Sequence, residues 1–418
     1  MKTKLLTLFI LLLAFIDGSA QWVQRATFPG VSRSRSTAFT IANKIYVVGG
    51  YSASGAVLND FWEYDITANT WLHKSNFPGP ERYGAASFVV NGKGYIATGG
   101  NDFGYLDDTW EYNPVSDSWS QKTGLPATQA QHENQRAEAF AFSIGNKGYL
   151  GGGDGWVFGA NQTWNYAFFD LWEFDPMLNT WTHISDLPDF LGRDMSIGVA
   201  FNNKAYVGLG CNVDQTTGWQ SFWEYDPVAN TWTAKANFPT VYDTDAGAFV
   251  LDSEIYVVGG VKFNPVALTA QVHKYNISSD TWTALTNYNG GAVAGEFTIS
   301  TGTQAFAGTG FNSSLNTRTD LWEFNSVSTD IFSSFAVEGV QIYPNPFSSN
   351  KISVSISSSH ADHYQFKIAD LAGRIVLENE IVIDAGKAEI ETGDLPKGVY
   401  ILTLENEKES VSFKIMKI

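Results

Sequence analysis

Arginine recurs at one register of the sequence, where its guanidinium group could bind a carboxylate. Four arginines each lie seventeen residues before a glycine that ends an apolar run: Arg33, Arg82, Arg136 and Arg193. The same register holds Asp243 and Val293 in two further segments. Planar guanidinium groups suit bidentate contacts to carboxylates, so we expect the four arginines, with Asp243, to line a ligand site. The structural alternative is that they pair with neighbouring backbone or acidic groups.

Three of the 14 tryptophans, Trp156, Trp164 and Trp219, lie in long variable segments rather than at repeating positions. Aromatic side chains on long loops often contact ligands, because function tends to lie on loops held by a rigid scaffold. We therefore expect these three to bind a ligand beside the arginines. Four further aromatic residues could extend the surface: Tyr105, Phe158, Tyr166 and Phe263. Alternatively, these long segments pack on themselves as small clusters.

The segment "QHENQR" places His132 and Glu133 beside Arg136. An acid–base pair next to an arginine could catalyse proton transfer on a sugar, although three polar residues in one loop are ordinary. The six histidines are scattered and show no metal-ligand spacing, so neither a metal nor another cofactor is expected. The single cysteine, Cys211, excludes an internal disulfide.

The elements that must position these residues repeat along the chain. Five pairs are separated by nine residues: Trp62 and Trp71, Trp110 and Trp119, Trp172 and Trp181, Trp223 and Trp232, and His273 and Trp282. A sixth begins at Trp322, but Ile331 stands where its partner is expected. The missing tryptophan is Trp22, in "QWVQRATFPG", which reads like "TWLHKSNFPG" at 70–79. The first segment of the chain therefore completes the last repeat, which predicts a closed ring.

Each repeat of about 50 residues contains four strand-like runs, which we name a to d. Strand b ends in glycines that let the backbone turn sharply. The paired tryptophans of strands c and d should fill the wedge between neighbouring sheets. Four aspartates lie two residues before a strand-c tryptophan, and we expect them to accept backbone hydrogen bonds there: Asp60, Asp108, Asp170 and Asp320. The pattern predicts an all-β chain with a six-bladed propeller.

The glycine pairs after strand b, the aromatic residue before them and the late tryptophan resemble Kelch repeats over about residues 22–331. The resemblance implies that the d–a and b–c loops share one face around a central channel, and that arginines at the register described above line a pocket there. It also implies an enzymatic alternative, because His132, Glu133 and Arg136 could serve the sugar chemistry of Kelch-type sialic acid mutarotases. A copper-radical oxidase resembling galactose oxidase is not expected, since suitable cysteine and histidine residues are missing.

After Ile331 the sequence loses its tryptophans and carries alternating strand patterns. The segments "YPNPF", "DLAGRIV", "LPKGVYILTL" and "KIMKI" resemble the C-terminal sorting domain of the type IX secretion system of Bacteroidota. That resemblance implies a small Ig-like β-sandwich over 340–418 that is recognised by the secretion machinery. The motif residues are Tyr343, Pro344, Asn345, Pro346, Gly373, Arg374, Gly398 and Tyr400.

Residues 1–20 have the pattern of a cleavable signal peptide, with Lys2 and Lys4 before an apolar run and small residues at 18–20. The run is too short to cross a bilayer comfortably, so no transmembrane anchor is expected after cleavage. The formal net charge of −17 argues against a nucleic-acid partner. The expected organisation is a signal peptide (1–20), a propeller (21–332), a linker (333–339) and a sorting domain (340–418).

We expect an exported recognition protein, on the cell surface or released, that binds a glycan or a protein through the d–a and b–c loop face. The arginines suggest an acidic ligand. The enzymatic alternative is a carbohydrate isomerase or mutarotase, and a third possibility is a structural or adhesion component. Fold alone does not choose among these functions.

Overall fold

The computed structural model describes residues 21–127, 134–158, 163–240, 244–263 and 266–326 of the repeat region. In the C-terminal part it describes residues 341–343, 345, 347–355, 362–370, 374–384, 386–406 and 410–417. All regular elements in these ranges are β-strands. The chain divides into two compact units near residue 327, and we describe each by itself.

Within the described residues, the repeat region forms six larger antiparallel sheets, the blades, and three small sheets that involve the b–c loops. Strand β1 (Gln21–Gln24) and the short β2 (Arg33–Ser34) precede the first blade, formed by β3 (Thr37–Ile41), β4 (Lys44–Ser52), β5 (Val57–Asp65) and β6 (Thr70–His73). The second blade is β7 (Ala86–Val90), β8 (Lys93–Ala97), β11 (Thr109–Asn113) and β12 (Ser118–Lys122), with the short hairpin β9 (Gly100–Asn101) and β10 (Gly104–Tyr105) in its b–c loop.

The third blade begins after β13 (Arg136–Ala137) and contains β14 (Phe140–Ile144), β15 (Lys147–Gly151), β18 (Asp170–Asp175) and β19 (Thr180–Asp186). Its b–c loop carries the hairpin β16 (Asp154–Phe158) and β17 (Thr163–Ala167). The fourth blade is β20 (Ile197–Phe201), β21 (Lys204–Gly208), β22 (Phe222–Asp226) and β23 (Thr231–Lys235).

The fifth blade is β24 (Gly247–Leu251), β25 (Glu254–Val258), β28 (Val272–Asn276) and β29 (Thr281–Ala284), with the loop hairpin β26 (Val261–Phe263) and β27 (Val266–Leu268). The sixth contains β30 (Phe297–Ser300), β31 (Ala305–Gly308) and β32 (Leu321–Asn325). Its fourth strand is β1, which pairs antiparallel with β32 and sets Trp22 opposite Phe324. The structure therefore shows the predicted closure of the ring by the N-terminal strand.

The six innermost strands lie side by side in a ring, because β3 contacts β7 on one side and β30 on the other. Together they line a central cavity of about 590 Å³. Gly50 shows why glycine ends strand b. Its φ is 108°, and a Cβ there would lie 2.8 Å from the carbonyl oxygen of Ser34. The tight approach of the d–a loop to strand b therefore requires glycine.

Aromatic side chains fill the wedges between neighbouring blades. Trp119 of the second blade packs edge-on against Phe39 and Phe61 of the first, with ring centroids 6.3 and 5.2 Å apart. Phe39 also stacks on Tyr46 within its own blade. Edge-to-face and offset aromatic contacts of this kind stabilise beyond their buried area. The core of the propeller thus consists of hydrophobic clusters that lie between neighbouring blades.

The C-terminal unit contains two sheets built from β33 (Gln341–Tyr343), β34 (Lys351–Ser355), β35 (Asp362–Asp370), β36 (Ile375–Ile383), β37 (Lys387–Glu391), β38 (Gly398–Glu405) and β39 (Ser410–Lys417). One has the order β33-β34-β37 and the other β36-β35-β38-β39. Residues of both sheets, such as Val354 and Leu402, share one hydrophobic core, as expected of a β-sandwich.

The predicted motif residues of this unit have mixed environments. Tyr400 is buried and its hydroxyl donates to the carbonyl of Pro396 at 2.8 Å. Gly398 begins β38, opposite Lys417. Arg374 extends into solvent and donates through Nε to Asp370, whereas Tyr343 and Asn345 are exposed. Pro344, Pro346 and Gly373 lie outside the described residues.

Candidate functional site at the mouth of the central channel

The four repeating arginines are buried within the walls of their own blades. Arg82 is the representative case, with 1% of its surface exposed. Its two terminal nitrogens donate to the two carboxylate oxygens of Asp108, each at 2.8 Å, and one also donates to the carbonyl of Thr98. The same carboxylate accepts a hydrogen bond from Nε1 of Trp110 at 2.7 Å. Arginine, aspartate and tryptophan thus form one closed unit.

This Arg–Asp–Trp unit recurs in the first and third blades, where Arg33 pairs with Asp60 and Arg136 with Asp170. The fourth blade has Ser221 at the aspartate position, and Asp189 replaces the missing carboxylate by accepting from Arg193 and Trp223. The sixth blade has no arginine at the usual register, and Arg318 from its b–c loop pairs with Asp320 instead. The fourth and sixth blades therefore keep an arginine–aspartate pair, although one of the two residues comes from a different sequence position.

The fifth blade is the exception, since His273 and Gln271 occupy the tryptophan and aspartate positions. His273 is buried against Phe238 and its Nδ1 has no hydrogen-bond partner. Burial lowers the pKa of this imidazole, with a smaller effect from Lys262. Asp243, at the arginine register of this blade, lies outside the described residues.

The geometry bears on two sequence expectations. The four arginines do not present free guanidinium groups, because each is at most 1% exposed and is paired with a carboxylate. These contacts are those of the structural alternative, in which the arginines pair with acidic groups, and ligand contact by the arginines stays a prediction. The aspartates at 60, 108, 170 and 320 accept from guanidinium and indole groups, not from the backbone of the strand entrance.

A different register reaches the channel mouth. Two residues after each arginine position, the chain takes a left-handed conformation with φ between 50° and 61°: Arg35, Gly84, Glu138, Met195, Asp245 and Gly295. We call these six residues the mouth ring. Backbone hydrogen bonds run around it between consecutive blades. The amide of Gly84 donates to the carbonyl of Arg35, and the amide of Glu138 donates to the carbonyl of Gly84.

The two glycines of the mouth ring make room for their charged neighbours. A Cβ on Gly84 would lie 2.5 Å from Oε1 of Glu138, so the glutamate carboxylate lies directly over this glycine. A Cβ on Gly295 would lie 3.2 Å from Cγ of Arg35. Arg35 then extends between two acids, with 3.4 Å from its Nε to Glu138 Oε1 and 3.3 Å from Nη2 to Asp245 Oδ2.

The mouth ring surrounds a polar cavity of about 130 Å³ that Glu296 also lines. Both carboxylate oxygens of Glu296 are buried and accept no hydrogen bond from a side chain. The nearest donors are the backbone amides of Glu296 and Gly247. Burial raises the pKa of Glu296 to about 8. Burial also raises the pKa of Glu138 to about 7, against the opposing effect of Arg35. Two acids therefore titrate near neutral pH in one cavity, as groups that exchange protons with a ligand must.

Two further acids lie close enough to influence this cavity electrostatically. Asp194 is 1% exposed and its Oδ1 has no partner. Burial raises its pKa well above the ordinary value, and Asp154 and Glu138 raise it further. Asp154 has a pKa raised by burial, and it accepts a hydrogen bond from the hydroxyl of Tyr105. Arg35 thus interacts electrostatically with four carboxyl groups, those of Glu138, Asp154, Asp194 and Asp245.

The loop aromatics named in the sequence analysis lie in or beside the b–c loops. Trp156 lies against Gly104 and contacts Tyr105 edge-on at 5.3 Å. Trp219 is half-buried, and its Nε1 donates to the carbonyl of Gly192 at 3.0 Å. Trp164 pairs through its backbone with Val157 in the loop hairpin, and Phe158 lies in the same hairpin. Tyr166 packs edge-on against Phe168, and Phe263 lies in β26.

His132 and Glu133 of the enzymatic alternative lie outside the described residues, and their companion Arg136 is committed to Asp170. Within the described ranges, no three His, Cys, Asp or Glu side chains are placed to hold a metal ion.

The sequence analysis did not identify the mouth ring. The available signal was the residue two positions after the arginine register, which is Arg35, Glu138 or Asp245 in three of the six repeats.

Comparison with known proteins agrees with the fold. Residues 10–153 match the KLHDC2/KLHL20/DRC7 Kelch-repeats domain, and residues 244–287 match the Kelch motif. Residues 341–418 match the secretion system C-terminal sorting domain. The chain therefore carries Kelch repeats within a β-propeller fold and a C-terminal sorting domain. The sorting domain indicates export by type IX secretion to the cell surface or beyond it.

Among individual proteins, the chain is 31% identical over 121 residues to N-acetylneuraminate epimerase 2 of Escherichia coli O6:H1 and to N-acetylneuraminate epimerase of Escherichia coli O157:H7. Each match covers 28% of this chain and 32% of the relative, so the chain spans about a third of the length of these relatives. A solved structure titled "Structure of YjhT" superimposes with a TM-score of 0.58 at 16% identity, covering 71% of this chain and 95% of that one.

The structural match shows the propeller fold. In the described parts of the chain, no helix is long and apolar enough to cross a membrane. The sorting domain indicates an interaction with the type IX secretion machinery.

Proposed function

We propose that this exported propeller binds carbohydrate at the mouth of its central channel, on the d–a and b–c loop face. The observation that carries the proposal is the mouth ring. Four of its six members are not glycine although all six adopt the left-handed conformation. A non-glycine residue in that conformation costs about 1 kcal/mol, and glycine would avoid the cost. Retaining Arg35, Glu138 and Asp245 there is expected when their charges serve a ligand.

The chemistry of the cavity suits a polyhydroxylated molecule. Glu296 offers two buried oxygens that no side chain contacts, and Oε1 of Glu138 has only the long contact to Arg35. Each can accept a hydrogen bond from a hydroxyl or amino group, and buried acceptors gain most from such a partner. Convergent polar groups of this kind fix the orientation of a small ligand, which favours a glycan over a protein partner.

The charge balance modifies the expectation of an acidic ligand. A ligand carboxylate would meet the carboxyl groups of Glu138 and Asp245, while Glu296, with a pKa of about 8, largely holds its proton at neutral pH. The guanidinium group of Arg35 is already paired on two sides. Repulsion between like charges in a partly dry site is costly. The site therefore favours a neutral sugar or one that carries an amino group, for which the same carboxyl groups are attractive partners.

The test is calorimetric titration of the mature chain, residues 21–418, with glucosamine, N-acetylglucosamine and sialyllactose. Glucosamine and N-acetylglucosamine should bind more tightly than sialyllactose, and Glu138→Gln should weaken glucosamine at least tenfold. Asp252→Asn is the matched control, since Asp252 lines the opposite end of the channel and its replacement should change nothing. Failure of the wild type to bind any of the three sugars, or full binding by Glu138→Gln, would overturn the proposal.

A second candidate function is sugar isomerisation, favoured by two acids with pKa values near 7 and 8 in one cavity and by the similarity to N-acetylneuraminate epimerases. Groups with pKa values near the working pH make effective proton donors and acceptors. Polarimetry of freshly dissolved N-acetylneuraminate would detect faster interconversion of its anomers. The same rate with wild type and with Glu138→Gln plus Glu296→Gln would exclude this function for these acids.

A further inference from the structure

A second cavity opens beside the channel mouth, between the first, second and sixth blades. Its volume is about 420 Å³, and we call it the lateral groove. Its side chains come from separate loops: Ser34, Arg35, Tyr51, Tyr83, Phe311, Leu315 and Thr317. The lining mixes aromatic rings with hydroxyl groups, a combination typical of small-ligand sites.

Arg35 belongs to both cavities, since it lines the lateral groove and the mouth ring cavity. Its side chain is 26% exposed, and it makes long ion pairs to Glu138 and Asp245 and a contact from Nη2 to Sδ of Met195 at 3.6 Å. A ligand unit held at the channel mouth therefore has the lateral groove as its neighbour, with the guanidinium group at the boundary. The two cavities are therefore adjacent and share Arg35 as a lining residue.

The groove exposes apolar surface that the scaffold does not need. Tyr51 is 40% exposed and meets Tyr83 edge-on at 5.7 Å, which fixes its ring at the rim. Leu315 is 73% exposed and has a φ of 61°, held by the hydrogen bond from its amide to the carbonyl of Asn312. An exposed leucine in a left-handed turn costs conformational energy and gains no burial in the free protein.

We propose that the lateral groove is a second sugar subsite, so that the ligand is a chain of at least two units rather than a monosaccharide. One unit occupies the channel mouth and the next lies with its apolar face against the ring of Tyr51. This inference rests on the proposed function, because the first subsite is the channel mouth. Hydroxyl groups of Ser34 and Thr317 and the guanidinium group of Arg35 supply polar contacts at the edge of the second unit.

The experiment measures affinity against chain length. The mature chain is titrated calorimetrically with glucosamine and with chitosan oligomers of two, three and four units. Affinity should rise about tenfold from one unit to two, the effect of one aromatic contact, and should change little beyond that. Tyr51→Ala should remove the increase while leaving glucosamine unchanged, and Tyr51→Phe should keep it. Phe103→Ala is the matched control, because Phe103 is exposed in a b–c loop outside the groove.

The outcomes separate the two proposals. If glucosamine binds but the dimer binds no more tightly, or if Tyr51→Ala keeps the increase, the lateral groove is not a subsite and the channel mouth remains one. If neither glucosamine nor any oligomer binds, both proposals fail. If Phe103→Ala loses the increase as fully as Tyr51→Ala, the contact lies in the second-blade loop and the groove assignment is overturned.

Discussion

At the scale of single residues, the arginines show that a charged residue repeated in several blades can stabilise the fold. Arg82, Asp108 and Trp110 satisfy one another completely inside the blade wall. A buried ion pair stabilises little compared with an apolar replacement of both partners, but removing one partner leaves an uncompensated charge. That asymmetry explains why the fourth and sixth blades, which lack one member at the usual register, obtain it from Asp189 or Arg318.

Arg82→Met tests this role. The substitution keeps much of the side-chain volume and leaves the carboxylate of Asp108 buried beside the indole of Trp110. It should lower the free energy of unfolding by about 3–5 kcal/mol, measured by urea denaturation. Arg374→Met is the control, because Arg374 is 81% exposed and should change stability by about 0.5 kcal/mol or less. An Arg82→Met protein with the wild-type midpoint would show that the pair is dispensable.

The mouth ring cavity predicts a pH dependence of stability. Burial raises the pKa of Glu296 to about 8, against about 4.3 in an unfolded chain. Between these values the folded protein binds the additional proton, so stability decreases as pH rises across this window. Glu296→Gln should flatten that decrease, and the effect should be absent below about pH 4. Melting temperatures at several pH values provide the measurement, and an unchanged slope would contradict the assignment.

Residue types alone could locate the arginine register but not its role. The sequence contains both Arg82 and Asp108, 26 positions apart, and only the strand pairing brings them together. The mouth ring was harder to find, because its members are chemically unlike: Arg35, Glu138, Met195 and Asp245 share a backbone conformation rather than a side-chain type. Left-handed φ values of non-glycine residues leave little trace in composition.

At the scale of elements, spacing predicted most of the propeller. Alternating apolar residues and terminal glycines predicted the inner strands, and the tryptophan pairs predicted strands c and d. The hairpins inside the b–c loops, such as β16 with β17, were not predicted, because "DGWVFGANQTWNYAFF" mixes glycine, polar and aromatic residues without a clean period. Pairing within a long loop depends on contacts with neighbouring blades.

Trp22 tests the closure of the ring. Its indole is 3% exposed and lies 4.7 Å from Tyr288 and 4.9 Å from Phe324, measured between ring centroids. Trp22→Ala should reduce the free energy of unfolding by about 3–5 kcal/mol, as for other buried aromatic truncations. Gln24→Ala, in the same strand but exposed, serves as the control. A chain lacking residues 21–30 that melts at the wild-type temperature would contradict closure by β1.

At the scale of the whole molecule, the C-terminal unit indicates the export route, and the propeller carries the proposed binding site. A chain that ends at residue 326 keeps all six blades, including the β1–β32 pairing, and loses the sorting domain. Expressed in a host with a type IX secretion system, it should accumulate in the periplasm. Western blotting of periplasm, cell surface and medium provides the measurement, with the full chain as control. Normal amounts of the truncated chain outside the cell would show that the tail is not required.

The central claim is that the mouth of the channel, and not the buried arginine register, binds carbohydrate. A crystal structure of residues 21–418 with a chitosan dimer tests it most directly, because it locates the ligand without depending on any variant. The account predicts one sugar unit within hydrogen-bond distance of Glu138 and Glu296, and the second against Tyr51. A dimer bound elsewhere on the propeller, with the mouth ring cavity holding only water, would contradict it.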